Sequence, residues 1–269
     1  DRIFISSTSD STIAEVLPSG ELRTVVPGQF ALPLGASVIG DTVYTANFAQ
    51  VVGFDRKTGE QTSMFRAPFG FGFPLVTSSI AWGDTLVLMS GITGQIVIWD
   101  PVTNVPLAEG PPLFPIDAQP FNGDLIVTTA AGDIVRLAAD LAPIEVVASV
   151  PGATGITARK GDVYVADGDD GTIVQIISDG AVLTTPVEVI NNLASPEGID
   201  LKANTMYVVE GGTQTLTNIH LKSGKRKTVA TDLGLQAPLI SPFGLLNNVT
   251  VDHNDIYLSA DRANLIYKY

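Results

Sequence analysis

The sequence predicts an all-β chain that folds as a single β-propeller built from four-stranded antiparallel blades. Three observations support this prediction: a repeat of about 40 residues, alternating apolar residues within each repeat, and turn residues between the alternating runs. No stretch of helical length keeps a period of 3.6, and repeats this short leave no room for the crossover helices that parallel strands need. Repeated four-stranded sheets around an axis bury both of their faces, and the period is typical of propellers.

Each repeat begins with an Asp or Asn that opens a strand pattern. The seven unit starts are Asp1, Asp41, Asp84, Asp124, Asp162, Asn204 and Asp255. A second β-rich run follows each start, as in residues 171–176. Turn pairs such as Asp179–Gly180 and Ser223–Gly224 supply the positive φ that tight hairpins require. Each unit is therefore predicted to form one small sheet.

The number of blades follows from the unit starts. A further strand that opens with Pro-x-Gly precedes several starts, as at residues 33–35, 196–198 and 242–244. Seven starts favour seven blades, with the first blade lacking its inner strand. The alternative is six blades, in which residues 22–26 join the C-terminal strands and residues 1–20 lie outside the ring. No linker interrupts the repeat, so residues 1–269 are predicted to form one domain.

Composition narrows the possible partners. The chain has 15 Lys and Arg against 28 Asp and Glu, and its formal net charge is −13. This charge disfavours nucleic acid and anionic lipid surfaces as partners. The absence of cysteine excludes disulfides, thiolate nucleophiles and Cys-ligated metals. No apolar run reaches the roughly 18 to 20 residues of a membrane span, so no membrane partner is expected. The composition favours a secreted or periplasmic protein, and the oligomeric state stays open.

Chemistry in a propeller is expected where the inner strands begin, because these positions face the central channel. Counting back from the unit starts places one residue per repeat there: Leu34, Thr77, Asp117, Thr154, Glu197 and either Asn247 or Asn248, with Phe243 as the alternative to the last. Carboxylate and amide oxygens are the donors that Ca²⁺ coordination uses. Thr77 and Thr154 are candidate ligand-binding residues. Phe71 and Phe73, in a glycine-rich loop, could wall one channel mouth with apolar surface.

Three segments, at residues 193–210, 155–176 and 249–269, resemble the blade signature of the SMP-30/gluconolactonase/LRE-like and NHL-type propellers. The likeness is spread over the whole chain at the level of blades. In the lactonases of that family, a Glu, an Asn and an Asp hold a divalent metal, often Ca²⁺, at the channel mouth. The resemblance implies that Glu197, Asn247 and Asp117 would be the matching metal ligands, with Glu197 and Asp117 as catalytic residues.

These observations lead to three functional hypotheses. The first is a metal-dependent hydrolase that acts on a lactone or related ester in the axial channel. The second is a non-catalytic propeller that binds a small ligand or a protein partner, and the uncharged ring residues favour it. A resemblance to the seven-bladed virginiamycin B lyase-like proteins adds a lyase as the third. The acidic run at 167–171 lacks the spacing and closing Glu of an EF-hand loop, so it predicts a hairpin turn.

Overall fold

The chain is all-β, as predicted, and short antiparallel sheets repeat along it. A computed structural model describes residues 3–7, 12–16, 22–26, 33–47, 50–55, 58, 60–66, 76–233, 249–252, 255–260 and 265–268. The first three sheets contain β1 (Ile3–Ser7), β2 (Thr12–Val16), β3 (Leu22–Val26), β4 (Pro33–Ile39), β5 (Thr42–Asn47), β6 (Gln50–Asp55), β7 (Gln61–Arg66), β8 (Ser78–Trp82), β9 (Thr85–Ser90), β10 (Gln95–Asp100) and β11 (Val105–Glu109). Among the residues just given, no helix is long and apolar enough to cross a bilayer.

The remaining strands continue the same pattern. They are β12 (Pro115–Phe121), β13 (Asp124–Thr129), β14 (Asp133–Leu137), β15 (Pro143–Ser149), β16 (Ala153–Arg159), β17 (Asp162–Asp167), β18 (Thr172–Ser178), β19 (Ala181–Ile190), β20 (Pro196–Lys202), β21 (Thr205–Glu210), β22 (Thr215–His220), β23 (Arg226–Ala230), β24 (Val249–Asp252), β25 (Asp255–Ala260) and β26 (Leu265–Lys268).

Within the described residues these strands form seven sheets, each made from strands that are consecutive in sequence. Five sheets have four strands, and the first and last sheets, β1–β3 and β24–β26, have three. Strand β3 pairs with β2, whereas the six-blade alternative required the same residues to join the C-terminal strands. The prediction of four-stranded antiparallel units is confirmed, and the blade number of the complete ring stays a prediction.

The first strand of each sheet contacts the first strand of the next sheet. The inner strands follow one another in the order β4, β8, β12, β16, β20 and β24, and β1 contacts both β4 and β25. In each sheet the chain passes from the inner strand to the outer strand and then returns to begin the inner strand of the next sheet. Neighbouring sheets therefore pack face to face. Hydrophobic side chains fill the space between them, and the rings of Phe65 and Trp99 from neighbouring sheets stack with centroids 4.7 Å apart.

In two of the repeats, the Asp that opens the unit connects strands of its own sheet. Asp124 accepts a hydrogen bond from Arg136 Nε at 2.7 Å, which links β13 to β14. In the next sheet, Asp162 Oδ1 accepts hydrogen bonds from Gln175 Nε2 at 3.1 Å and from the backbone of Asp179 at 3.0 Å. The repeated acidic residue therefore has a structural role, in which a carboxylate satisfies donors near a sheet edge.

Hairpin turns agree with the sequence prediction. The Asp179–Gly180 pair has φ values of 49° and 82°, and Gly224 has a φ of 65°. Positive φ at both central residues is the geometry of a type I′ hairpin, whose twist matches that of the flanking strands.

We predict that Gly155→Ala destabilises the protein by about 2 kcal/mol or more, because added volume at a tight contact forces backbone shifts. A Cβ at this position would collide with the backbone oxygen of Glu197 on the next inner strand. The matched control is Gly168→Ala, whose Cβ would lie 3.1 Å from a Thr154 methyl carbon that can yield. Urea unfolding of both variants measures the difference, and equal costs would contradict close packing of β16 against β20.

Candidate functional site

The inner strands begin at one end of the sheets, which we call the leading face. There the segments that lead into the inner strands bond to the loops between the second and third strands. Leu113 N donates to Gly94 O at 2.8 Å, and Leu193 N donates to Gly171 O at 2.9 Å. Each predicted site residue that the structure describes lies on this face or within the first few residues of an inner strand.

Strand register modifies the alignment obtained by counting from the unit starts. Ala118, Ile156 and Ile199 pair with equivalent valines of their own second strands, so they occupy the same position in three successive sheets. Counting back two residues from Ile156 and Ile199 gives Thr154 and Glu197. Counting back two residues from Ala118 gives Ile116, so Ile116 is the residue equivalent to Thr154 and Glu197. Asp117 lies one position after Ile116, and the residues equivalent to Asp117 in the next two sheets are Gly155 and Gly198. A β-bulge adds one residue at the start of all three strands alike, so the offset comes from the count: Asp117 lies seven residues before Asp124, whereas Thr154 lies eight residues before Asp162.

Thr77 and Thr154 make the same local contact in their two sheets. Thr77 Oγ1 lies 3.3 Å from Met89 O, and Thr154 Oγ1 lies 3.3 Å from Ala166 O, in each case on the second strand of the same sheet. Thr154 Oγ1 also reaches across to Pro196 O of the next sheet at 2.9 Å. The prediction that these threonines bind a ligand is not tested by these contacts, but their hydroxyls already have protein partners.

A further threonine, Thr128, connects Asp117 to the next inner strand. Its Oγ1 accepts a hydrogen bond from Asp117 N at 3.0 Å and lies 3.0 Å from Thr154 O, to which it can donate. Sequence reasoning missed Thr128 because it lies on a second strand, where threonine is an ordinary β-forming residue. The inner strands are thus joined sideways through side chains as well as by packing.

Asp117 is the titratable group whose environment is most unusual within the described part of the chain. Its Oδ1 accepts from Ala118 N at 2.9 Å, and its Oδ2 accepts from Ile156 N at 3.2 Å on the next inner strand. Burial is the largest influence on the pKa of Asp117 and raises it. The hydrogen bonds from Ile156 N and Ala118 N lower the pKa, the negative charge of Asp200 raises it, and the result of all these effects is a pKa of about 6. A carboxyl group that titrates near neutral pH is a candidate for proton transfer.

Asp200 is the second carboxylate of this region, and the sequence analysis did not select it. It lies on β20, and its Oδ1 accepts from Leu201 N at 2.7 Å and lies 3.4 Å from Thr157 Oγ1 on β16. The signal that could have found it is a charged residue between two apolar ones in an inner strand, at residues 199–201. Asp117 and Asp200 together make this stretch of the inner strands negative.

Glu197, a predicted metal ligand and catalytic residue, is fully buried, with 0% of its surface exposed. Its backbone oxygen lies against Gly155, so β16 and β20 approach closely at this point. The carboxyl group is therefore held inside the protein rather than presented to an open channel.

The described residues do not supply a site that fits a divalent cation. Within them, no three His, Cys, Asp or Glu side chains gather in a group that could hold an ion. Both oxygens of Asp117 accept backbone N–H groups, and Glu197 is buried one position out of register with it. The predicted third ligand, Asn247, lies outside the described residues, as do Phe71, Phe73 and Phe243. For Leu34 the structure gives the strand, β4, and no side chain.

Two other buried carboxylates hold loops of the leading face in place. Asp167 Oδ1 accepts from the backbone of Asp169 at 3.1 Å and of Asp170 at 3.0 Å, which closes the acidic run into a turn. At the equivalent position of the next sheet, Glu210 accepts from Ala194 N at 2.9 Å and from Thr217 Oγ1. The hairpin turn predicted for this acidic run agrees with these contacts, in which the carboxylate oxygen caps backbone donors.

Phe114 is a feature of the leading face that sequence reasoning missed. It precedes β12, has a φ of 49° and leaves 45% of its surface exposed. Its ring lies over Gly94, where an added Cβ would be 3.3 Å from a ring atom. A bulky residue with positive φ is an outlier that costs about 1 to 3 kcal/mol. Exposed aromatic surface held in a strained backbone is therefore found three residues before Asp117.

Comparison with known proteins supports the fold and nothing narrower. No family model and no curated protein matches the chain. The WD40 β-propeller domain of Doa1 is 14% identical, with a TM-score of 0.73 over 99% of this chain and 88% of that one. A streptogramin B lyase is 17% identical, with a TM-score of 0.65 over 88% of this chain and 82% of the lyase. A chain of the nidogen/laminin complex is 13% identical, with a TM-score of 0.65 over 84% and 92%.

These similarities confirm the β-propeller fold, because proteins with different functions share it with this chain at low identity. The resemblance to SMP-30-like propellers is supported only at the level of the fold. Function has to be argued from the residues of the site.

We predict that the free energy of unfolding of Asp117→Asn increases relative to that of the wild type as the pH rises from 4 to 7. The folded pKa of about 6 lies above the ordinary value of 3.8, so the folded state binds more protons and wild-type stability falls across this interval. One pKa unit corresponds to about 1.4 kcal/mol, so the variant should gain about 2 to 3 kcal/mol on the wild type.

Urea unfolding at pH 4.5 and pH 7.5 measures this difference. Asp169→Asn, which removes an exposed carboxylate of the leading face, is the matched control. A pH-independent difference between wild type and Asp117→Asn would contradict the raised pKa.

Proposed function

We propose that the chain is a ligand-binding propeller whose leading face, at Phe114 and Asp117, takes an aromatic or apolar group that carries a positive charge. The single observation that carries this proposal is the aromatic ring of Phe114, which is 45% exposed next to the start of an inner strand. Ser195, the equivalent residue before β20, has the same φ of 49°, so the backbone conformation belongs to the repeat and the exposed ring is what distinguishes Phe114.

Charge supports a cationic ligand over an anionic one. Asp117 and Asp200 make the neighbouring inner strands negative, and the whole chain has a formal net charge of −13. A cation near these carboxylates would favour the ionised form of Asp117 and offset the unfavourable burial of its charge. An aromatic face also attracts cations directly, by about 0.5 to 1 kcal/mol at an exposed site.

The contacts of the other candidate residues favour binding over catalysis. The hydroxyls of Thr77, Thr128 and Thr154 bond to backbone groups of the sheets, and Glu197 is buried. These residues shape the region rather than facing a reacting group, which agrees with the non-catalytic alternative for a small ligand or a protein partner.

We predict that 2-phenylethylamine binds the wild type and that Phe114→Gly weakens its binding at least about fivefold, because the aromatic contact is lost. Isothermal titration calorimetry measures the affinity. Phe114→Gly also removes the positive-φ strain, so its melting temperature should equal or exceed that of the wild type. The matched control is Leu107→Ala, which shortens a 56% exposed apolar side chain on an outer strand. Unchanged binding by Phe114→Gly would overturn the proposal.

A second candidate function is the hydrolysis of a lactone or related ester, and one observation favours it. The raised pKa of Asp117, about 6, would let this carboxyl group take a proton from water at neutral pH. Here Asp117 is the proposed general base, and Glu197 and Asn247 stay predicted metal ligands without support from the described residues. Lyase chemistry has the fold similarity as its only support.

Hydrolysis is tested with a panel of γ- and δ-lactones, with Ca²⁺ and with a chelator, on wild type and Asp117→Asn. If this candidate is correct, the rate above the uncatalysed reaction falls at least about 100-fold in the variant, the size expected for loss of a general base. Equal rates in the two proteins would exclude Asp117 as the base. A rate that falls only with the chelator would point instead to a metal site that includes residues such as Asn247.

A further inference from the structure

The opposite end of the inner strands, which we call the trailing face, contains one position where the repeat changes its chemistry. Trp82, Phe121 and Arg159 each end an inner strand and pair with the residue that opens the next strand. They are therefore equivalent in three successive sheets. Two are aromatic and the third is a cation, so the gap between the fifth and sixth sheets is lined differently from the two gaps before it.

The second and sixth sheets have Ile39 and Lys202 at this position, so three of these five copies are apolar. The two aromatic copies show what an apolar residue does here. Phe121 is 5% exposed and belongs to the hydrophobic cluster that joins the fourth and fifth sheets, where it shares a cluster with Ile126. Trp82 packs against the cluster that joins the third and fourth sheets. In both places a large apolar side chain closes the outer end of an inter-sheet core.

Arg159 reaches in the same direction but does not close the gap. Its Nη1 donates to Leu201 O of the sixth sheet at 3.2 Å. Tyr164, at the position that Ile126 holds one sheet earlier, faces the same gap and belongs to its core cluster. A cleft of about 200 Å³ remains, lined by Arg159, Lys160, Asp162, Tyr164, Leu201 and Leu221 among others.

The cleft contains more hydrogen-bond donors than the protein groups around it accept from. Within the described residues, Arg159 makes one hydrogen bond and no ion pair, so most of its five N–H donors remain for other partners. Lys160, in the adjacent turn, adds a second cation. Burial and the nearby Asp162 raise the pKa of Tyr164, so its phenol stays protonated at neutral pH.

Asp162 limits the charge that the cleft can accept. Its Oδ1 accepts from Gln175 Nε2 and Asp179 N, and its Oδ2 lies 3.5 Å from the Tyr164 hydroxyl. The carboxylate is therefore engaged with its own sheet, but its charge still opposes a dianion. Asp179 adds a second negative charge near Tyr164. Two cations beside these two carboxylates therefore suit a ligand with one negative charge better than a ligand with two.

We infer that the cleft between the fifth and sixth sheets binds a small monocarboxylate with an apolar body. The carboxylate lies against the Arg159 guanidinium and Lys160, since a guanidinium binds a carboxylate through two parallel hydrogen bonds. The apolar body occupies the place that an aromatic side chain fills in the two preceding gaps, against Tyr164, Leu201 and Leu221. A volume of about 200 Å³ limits the ligand to a molecule smaller than a typical drug.

This site is distinct from the one proposed above. Thr154 and Arg159 lie at opposite ends of β16, and five residues of strand separate them by about 16 Å. The two sites also prefer opposite charges, so binding at each can fail independently of the other.

The test uses benzoate as the probe, measured by isothermal titration calorimetry with benzamide and inorganic phosphate for comparison. We expect benzoate to bind the wild type with a Kd of about 1 mM or lower. Arg159→Met keeps the length of the side chain and removes its charge, so affinity should fall at least about tenfold. Lys227→Met, which removes one exposed cation from β23, is the matched control and should leave the benzoate affinity unchanged.

A second variant separates binding from folding. Arg159→Phe restores the aromatic residue of the preceding sheets, so it should fill the cleft, raise the melting temperature and abolish benzoate binding. The inference is overturned if benzoate fails to bind the wild type, or if Arg159→Met or Arg159→Phe binds it as the wild type does. It is equally overturned if benzamide or phosphate binds the wild type as tightly as benzoate.

Discussion

The sideways connection between inner strands is the interaction on which the rest of this structure depends. Each sheet is a meander of antiparallel strands whose register is fixed by its own hairpins. A single sheet of three or four strands cannot bury both of its faces, so it needs its neighbours. Thr128 and Thr154 reach from one sheet to backbone carbonyls of the next, and Asp117 accepts from Ile156 N in the same way. These contacts fix the spacing at which hydrophobic side chains of neighbouring sheets interlock.

The same connection explains why particular small or polar residues stand where they do. At the Asp117 position the next two sheets have Gly155 and Gly198, and Gly155 lies against the backbone of the following strand. Where the strands touch backbone to backbone, a side chain has no room. At the same position of β12, the Asp117 carboxylate accepts from Ile156 N of β16 instead. Backbone contact at Gly155 and a side-chain hydrogen bond at Asp117 are thus two ways of joining neighbouring inner strands.

The fold could be predicted from the sequence further than the candidate site could. The period, the alternation and the turn pairs predicted the sheets and their order, because a repeat averages the signal over many copies. Counting residues placed Asp117 in one ring with Thr154 and Glu197, whereas the pairing register aligns it with Gly155 and Gly198. The first strands of these sheets share a one-residue β-bulge, so the bulge does not explain the difference. The unit starts were counted back by seven residues at Asp124 and by eight at Asp162, and only the pairing register gives the common reference point. Phe114 and Asp200 were missed because their importance lies in backbone conformation and in contacts between sheets.

Two positions depart from the repeat in ways that the fold alone does not require. Arg159 stands where Trp82 and Phe121 close a hydrophobic core, and it gives up the roughly 2 kcal/mol that a buried aromatic side chain contributes. Asp117 keeps a carboxylate at a buried position where its ionisation opposes folding at neutral pH. Natural sequences break local rules mainly at functional sites. The two residues have opposite charges and lie at opposite ends of adjoining inner strands, and the two ligand sites proposed above depend on this arrangement.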